Sequence, residues 1–181
     1  MSIILKNRTL VFLFTSCISI LLFAVGCKVN YSFTGASISP DVKTISIQYF
    51  QNFAPLAKPS VGQLFTESLK DIYLNQTNLK LLNKGGDLQI EGTITNYVTT
   101  PVAIQGTSAN GINAAASNRL TMTVSVKFVN LKDEKQNFEN SFSRFADFPS
   151  SSSLAAEEDR LINEINTQLV QDIFNKTVAN W

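Results

Sequence analysis

Histidine is absent from the 181 residues, and that absence removes much of the usual enzymatic repertoire: no serine triad, no cysteine–histidine pair and no imidazole metal cluster can be assembled. Cysteine occurs only at positions 17 and 27, so the chain beyond Cys27 has no thiol for a disulfide, a nucleophile or a metal ligand. Charge is sparse as well. Charged residues make up 16% of the chain and balance to +1, which leaves no global basic field to attract nucleic acid. The remaining carboxylates fit bland roles: Glu157, Glu158 and Asp159 suit a solvated helix start, while Asp87 and Glu91 flank the start of a strand. Gly85, Gly86 and Gly92 open a strand rather than a helix, so they build no phosphate cradle. The sequence therefore calls for no catalytic residue, no metal and no cofactor.

The N-terminus holds the strongest positive signal. Lys6 and Arg8 precede an uncharged stretch from Leu10 to Val25, and Ala24, Val25 and Gly26 lead to Cys27. A basic region, an apolar core and a small-residue site are the three parts of a secretory signal. The apolar run is interrupted by Thr15, Ser16 and Ser19 and falls short of the roughly 20 residues that a spanning helix needs. Cysteine directly after the small residues is the acceptor position for a lipid, although Ala24 stands where such boxes favour Leu. The expected division is a signal peptide over 1–26, a lipid-anchored tether over 27–41 that carries Gly35 and Pro40, and a single domain over 42–181. Removing Lys6 and Arg8 leaves 13 basic against 14 acidic residues, a net charge of −1.

Within the domain, Val42 to Phe50 alternates as a half-buried strand. Val61, Leu64, Phe65, Leu69, Ile72 and Tyr73 recur at helical spacing, with Ser60 and Gln63 placed for a capping box. A short extended piece, Leu79 to Leu82, leads to the Gly85–Gly86 turn. Alternation returns from Leu88 to Val98, with Leu88, Ile90, Ile94 and Val98 assigned inward and Tyr97 outward. Leu120, Met122, Val124, Val126 and Phe128 form the inward face of the next strand, and a further strand covers Phe138 to Phe145. Gln105 to Ser117 reads as a small, polar, mobile hairpin loop. Leu161, Ile162, Ile165, Leu169, Ile173 and Phe174 mark the closing helix. The expectation is an α+β fold in the order β-α-β-β-β-α, with two amphipathic helices on one face of a four-stranded, antiparallel-rich sheet. Phe145, Phe148 and Trp181 fall outside the apolar stripes and stand as candidate partner contacts.

The wording of several segments is more specific. YSFTGASISPDVKTISIQYFQNFAP (Tyr31 to Pro55), FTESLKD (Phe65 to Asp71), DLQIEGTITNY (Asp87 to Tyr97), PVAIQ (Pro101 to Gln105) and DIFNKTVANW (Asp172 to Trp181) resemble the Bacteroidetes-type branch of the LptE family of lipopolysaccharide-assembly lipoproteins. The resemblance implies an outer-membrane lipoprotein, not an enzyme, that partners an LptD-type β-barrel and contacts lipopolysaccharide through basic residues near strand ends. Arg119, Lys127 and Arg144 are the candidates for that contact. Lys28 after the acceptor cysteine, with no Asp and no acidic run, points by the same analogy to outer-membrane delivery. The competing class is a lipoprotein that activates a peptidoglycan synthase, since TISIQYFQN followed by a helix and DLQIEGTI is similar to those proteins too. Their longer linkers contrast with the roughly fifteen residues between Cys27 and the first strand here.

Overall fold

The computed structural model describes residues 38–103 and 116–178. Cys27, Trp181 and most of the Gln105–Ser117 segment lie outside them. The elements are β1 (Thr44–Ile47), β2 (Gln51–Asn52), α1 (Val61–Gln76), β3 (Lys80–Leu82), β4 (Leu88–Ala103), β5 (Ala116–Asn130), a 3-10 turn (Glu134–Gln136), β6 (Phe138–Pro149) and α2 (Leu154–Val178). They form an α+β fold whose two helices pack on each other and on one face of a mixed sheet. No helix among the described residues is long and apolar enough to cross a membrane.

The sheet has six strands rather than four. Its order is β3-β1-β4-β5-β6, with β2 also paired to β4. β1 runs parallel to both β3 and β4, and β2 parallel to β4, whereas β4, β5 and β6 form an antiparallel meander. Two local events account for the extra strands. At Tyr49–Phe50 the chain leaves the sheet so that Phe50 tucks beneath α1, where its backbone N–H donates to Thr66 Oγ1 at 3.0 Å. This divides the expected Val42–Phe50 strand into β1 and β2. The extended piece after α1 then returns alongside β1, and a helical crossover of that kind delivers a parallel neighbour.

β4 also departs from simple alternation. A bulge between Ile94 and Asn96 shifts the register, and an extra residue in a strand exchanges the two faces beyond it. Tyr97 is therefore buried and Val98 sits on the open face, the reverse of the expected assignment. β5 has no such irregularity, and Leu120, Met122, Val124, Val126 and Phe128 are all buried as the alternation predicts.

The core is built from aliphatic and aromatic side chains beneath the helices. Val61, Phe65, Leu69 and Tyr73 give α1 a buried i, i+4 stripe, while Leu64 at its margin is exposed. Phe50 meets Phe65 with ring centroids 4.9 Å apart, and Tyr73 meets Phe174 of α2 at 5.1 Å. The Tyr73 hydroxyl is hydrogen-bonded to Thr177 Oγ1, and burial pushes its pKa well above the usual phenol range. The predicted capping box does not form: Ser60 makes no side-chain cap, and Gln63 bonds Glu67 at 2.9 Å instead.

The entry end of the sheet is tied together by Asp87. Its carboxylate accepts from the N–H groups of Lys43 and Thr44 at 2.9 and 3.0 Å and from Thr44 Oγ1 at 2.8 Å, with Lys132 at 3.2 Å. The backbone donor of Lys43 is the largest reason its pKa falls well below the usual carboxylate range.

Candidate functional site on the open sheet face

With both helices on one side, the other face of the sheet is left uncovered, and the strands dictate its chemistry. On β5 it carries Arg119, Thr121, Thr123, Ser125 and Lys127, opposite the buried apolar set. β6 contributes Ser141, Ser143, Phe145 and Asp147 through its pairing with β5. A hydroxyl-rich face of this kind stays wet and exchanges hydrogen bonds readily. Thr123 and Ser143 already form one such bond across the strands at 3.0 Å.

Arg119 occupies a defined setting near the far end of this face. It pairs in register with Asp147 and makes a bidentate contact, with Nε and Nη2 at 2.8 and 2.9 Å from the two carboxylate oxygens. Its guanidinium carbon also stands 3.6 Å from the centroid of the Phe145 ring, a stacked cation–π geometry. Phe145 is 46% exposed, so one side of the stack faces solvent. The guanidinium hydrogen bond holds the Asp147 carboxyl below its ordinary pKa.

Lys127 lies toward the other end, directly across from Glu91, with Nζ 2.7 Å from Oε1. That hydrogen bond raises the lysine pKa. The pair borders an open groove of about 540 Å³ lined by Gln48, Tyr49, Gln51, Thr93, Ser125 and Glu139. The groove lies beside the break between β1 and β2, where the chain turns away from the sheet.

The third basic candidate is elsewhere. Arg144 pairs with Met122, which places it on the helix side, where Nε and Nη2 reach Asp172 of α2 at 2.5 and 2.7 Å. The structure thus brings Arg119, Phe145 and Asp147 together, keeps Lys127 on the same face, and separates Arg144 from both. Phe148, expected as a surface contact, is 3% exposed and belongs to the core. Pairing with Asn118 turns it toward the helices rather than outward.

One cluster was not legible in the sequence. Glu158, assigned to a solvated helix start, is buried. It accepts from Tyr97 Oη at 2.7 Å and pairs with Lys58 at 3.0 Å, while Lys58 also reaches Asp159 at 2.9 Å. Burial is the first cause, and the Glu158 contact the second, that raises the Tyr97 pKa far above the phenol range. The β-bulge is what turns Tyr97 toward this carboxylate, and alternation alone gives no sign of it. Among the described residues, no group of three or more carboxylate, cysteine or histidine side chains is arranged to hold a metal ion.

Comparison with known proteins places this architecture. No curated protein matches the sequence. Among solved structures, a protein from Xanthomonas campestris superposes with a TM-score of 0.51 at 11% identity, covering 84% of this chain and 91% of that one. A lipoprotein from Nitrosomonas europaea gives 0.48 at 17% identity, covering 86% and 92%. A minor lipoprotein from Acinetobacter baumannii gives 0.48 at 15% identity, covering 75% and 92%. The family model for LptE, lipopolysaccharide-assembly, matches residues 42–177, which span both helices and the whole sheet. The chain belongs to the LptE lipopolysaccharide-assembly family.

Proposed function

We propose that this protein is an outer-membrane lipoprotein that partners an LptD-type β-barrel in lipopolysaccharide transport and assembly. The observation that carries the reading is the match of the LptE family model across the domain, joined to a sheet face that is polar and helix-free. Barrel interiors are polar, and a domain lodged in one meets that wall best with hydroxyl and amide groups. Acylation at Cys27 and the short stretch before β1 hold the domain beside the bilayer. Arg119 and Lys127 provide cations on the open face, each answered by an exposed carboxylate that a phosphate can displace. Phe145 adds an apolar contact beside Arg119.

Purification of the native protein from outer membranes tests the partnership. A large β-barrel should copurify; recovery of a peptidoglycan synthase in its place overturns the reading. The mass of the mature N-terminal peptide checks the lipid on Cys27.

A further inference from the structure

The sheet ends in two unlike edges. β3 closes one side with three residues, the first of them Lys80, a short and charged edge of the kind that discourages further pairing. β6 closes the other with twelve residues. It pairs with β5 without a register break, contains no lysine, and meets proline only at its last position. Among the described residues no strand lies beyond it.

The direction of its backbone groups follows from hydrogen bonds at the base of the meander. The Leu131 N–H donates to Asp87 O at 2.9 Å, while the Asn130 N–H turns the other way and donates to Asn137 Oδ1 at 2.7 Å. Odd-numbered residues of β5 thus address β4, and even-numbered ones address β6. Through the β5–β6 register, Glu139, Ser141, Ser143, Phe145 and Asp147 aim their N–H and C=O groups away from β5, along the free edge. α2 leaves this margin open: Asn140 and Arg144, on the helix side of β6, are both exposed, and Phe142 between them is only half-buried. An edge of this kind takes an added strand through main-chain hydrogen bonds.

We infer that a second copy of this chain supplies that strand, β6 pairing antiparallel with β6 about a two-fold axis at Phe142. Charge selects the register. An axis at Ser143 opposes Glu139 to Asp147 twice, and an axis at Arg144 opposes that residue to itself. An axis at Phe145 sets Ser141 against Pro149, which has no N–H to give. The axis at Phe142 instead faces Ser141 with the partner's Ser143, Glu139 with the partner's Phe145, and Asn140 with the partner's Arg144. The arginine brings no uncompensated charge, because Asp172 already holds it. The two Phe142 side chains meet at the axis as a non-hydrogen-bonded pair, the geometry that brings side chains closest. Such a contact is isologous, as a two-fold requires, and it joins the two open faces into one polar surface on the same side. It goes beyond the barrel partnership and does not rest on it.

The test uses the full mature chain, residues 27–181, with Cys27→Ser so that neither an acyl chain nor a thiol brings copies together. Sedimentation equilibrium should show the mass rising to that of two chains with concentration. Ser141→Lys combined with Ser143→Lys sets lysines of the two copies against each other and should weaken association about tenfold. Ser141→Glu combined with Ser143→Glu should do the same, and mixing the two variants should restore association, all with the wild-type circular dichroism spectrum. On oxidation, Phe142→Cys should close a disulfide between copies and Ser143→Cys should not, since only position 142 meets itself across the axis. A single-chain mass at every concentration overturns the inference, as do lysine and glutamate variants that associate like the wild type, or crosslinking at 143 in place of 142. A chain that dimerises only after residues 28–37 are removed also overturns it and assigns the edge to the chain's own N-terminal segment.

Discussion

Arg119 and Lys127 differ from ordinary surface cations in their settings rather than in their chemistry. Lys127 and Glu91 are each 54% exposed, and a pair so hydrated contributes little to folding, so neutralising the lysine leaves the domain intact. Arg119 is stacked and bidentate, with less freedom to lose when a ligand arrives. Arg119→Gln should therefore weaken lipopolysaccharide binding about tenfold and Lys127→Gln somewhat less, both more strongly at low salt. Titration calorimetry against purified lipopolysaccharide, with unchanged thermal melts, checks this; equal affinity for wild type and both variants removes these residues from the site. Gly92 poses a steric question instead. A Cβ there would lie 2.2 Å from Ser125 O and 2.5 Å from the Phe50 ring, so Gly92→Ala should destabilise the fold by about 1–3 kcal/mol, read by urea unfolding.

At the scale of elements, the strand that kept strict period two was fully legible in the sequence, because five alternating apolar residues on β5 admit a single inward face. β4 carried the same signal as far as Ile94, and one residue of bulge then inverted Tyr97 and Val98. Bulges leave no periodic mark, so the Tyr97–Glu158–Lys58 cluster stayed hidden. Phe148 was misread and the face of Arg144 was not legible for a related reason: β6 spaces its apolar residues unevenly, and only pairing with β5 reveals which face each occupies. α2 was legible in its stripe but conceals one anomaly. Asn166 is buried on it, and its Oδ1 has no hydrogen-bond partner among the described residues. An unpaired buried carbonyl costs about 1–3 kcal/mol, so Asn166→Leu should stabilise the domain by about 1 kcal/mol and raise Tm by roughly 2–4 °C in a melting scan.

For the molecule as a whole, Asp87 joins the start of β1 to the start of β4 and to the β5–β6 turn that carries Lys132. Its folded pKa is depressed, so the stability it contributes is fully present above its unfolded value near 3.8 and is lost as pH falls through the lower folded value. The stability gap between wild type and Asp87→Asn should therefore be widest at neutral pH and shrink as the solution becomes strongly acid; a gap that stays constant with pH refutes the linkage.

The absence of thiols beyond Cys27 makes a broader demand. With no disulfide available, cohesion across the molecule depends on one buried cluster that runs from Val42 and Phe50 through α1 and β5 to Val178. Phe65 is fully buried within it, and Phe65→Ala should cost about 3–5 kcal/mol, a large share of the roughly 5–15 kcal/mol of a typical domain. If that core is cooperative, amide protection in the middle of β5 and in α2 should fall by the same free energy as protection in α1. Hydrogen exchange read segment by segment decides the matter: loss confined to α1 and β1 would mean that the β1–α1–β3 flank unfolds independently of the meander behind it.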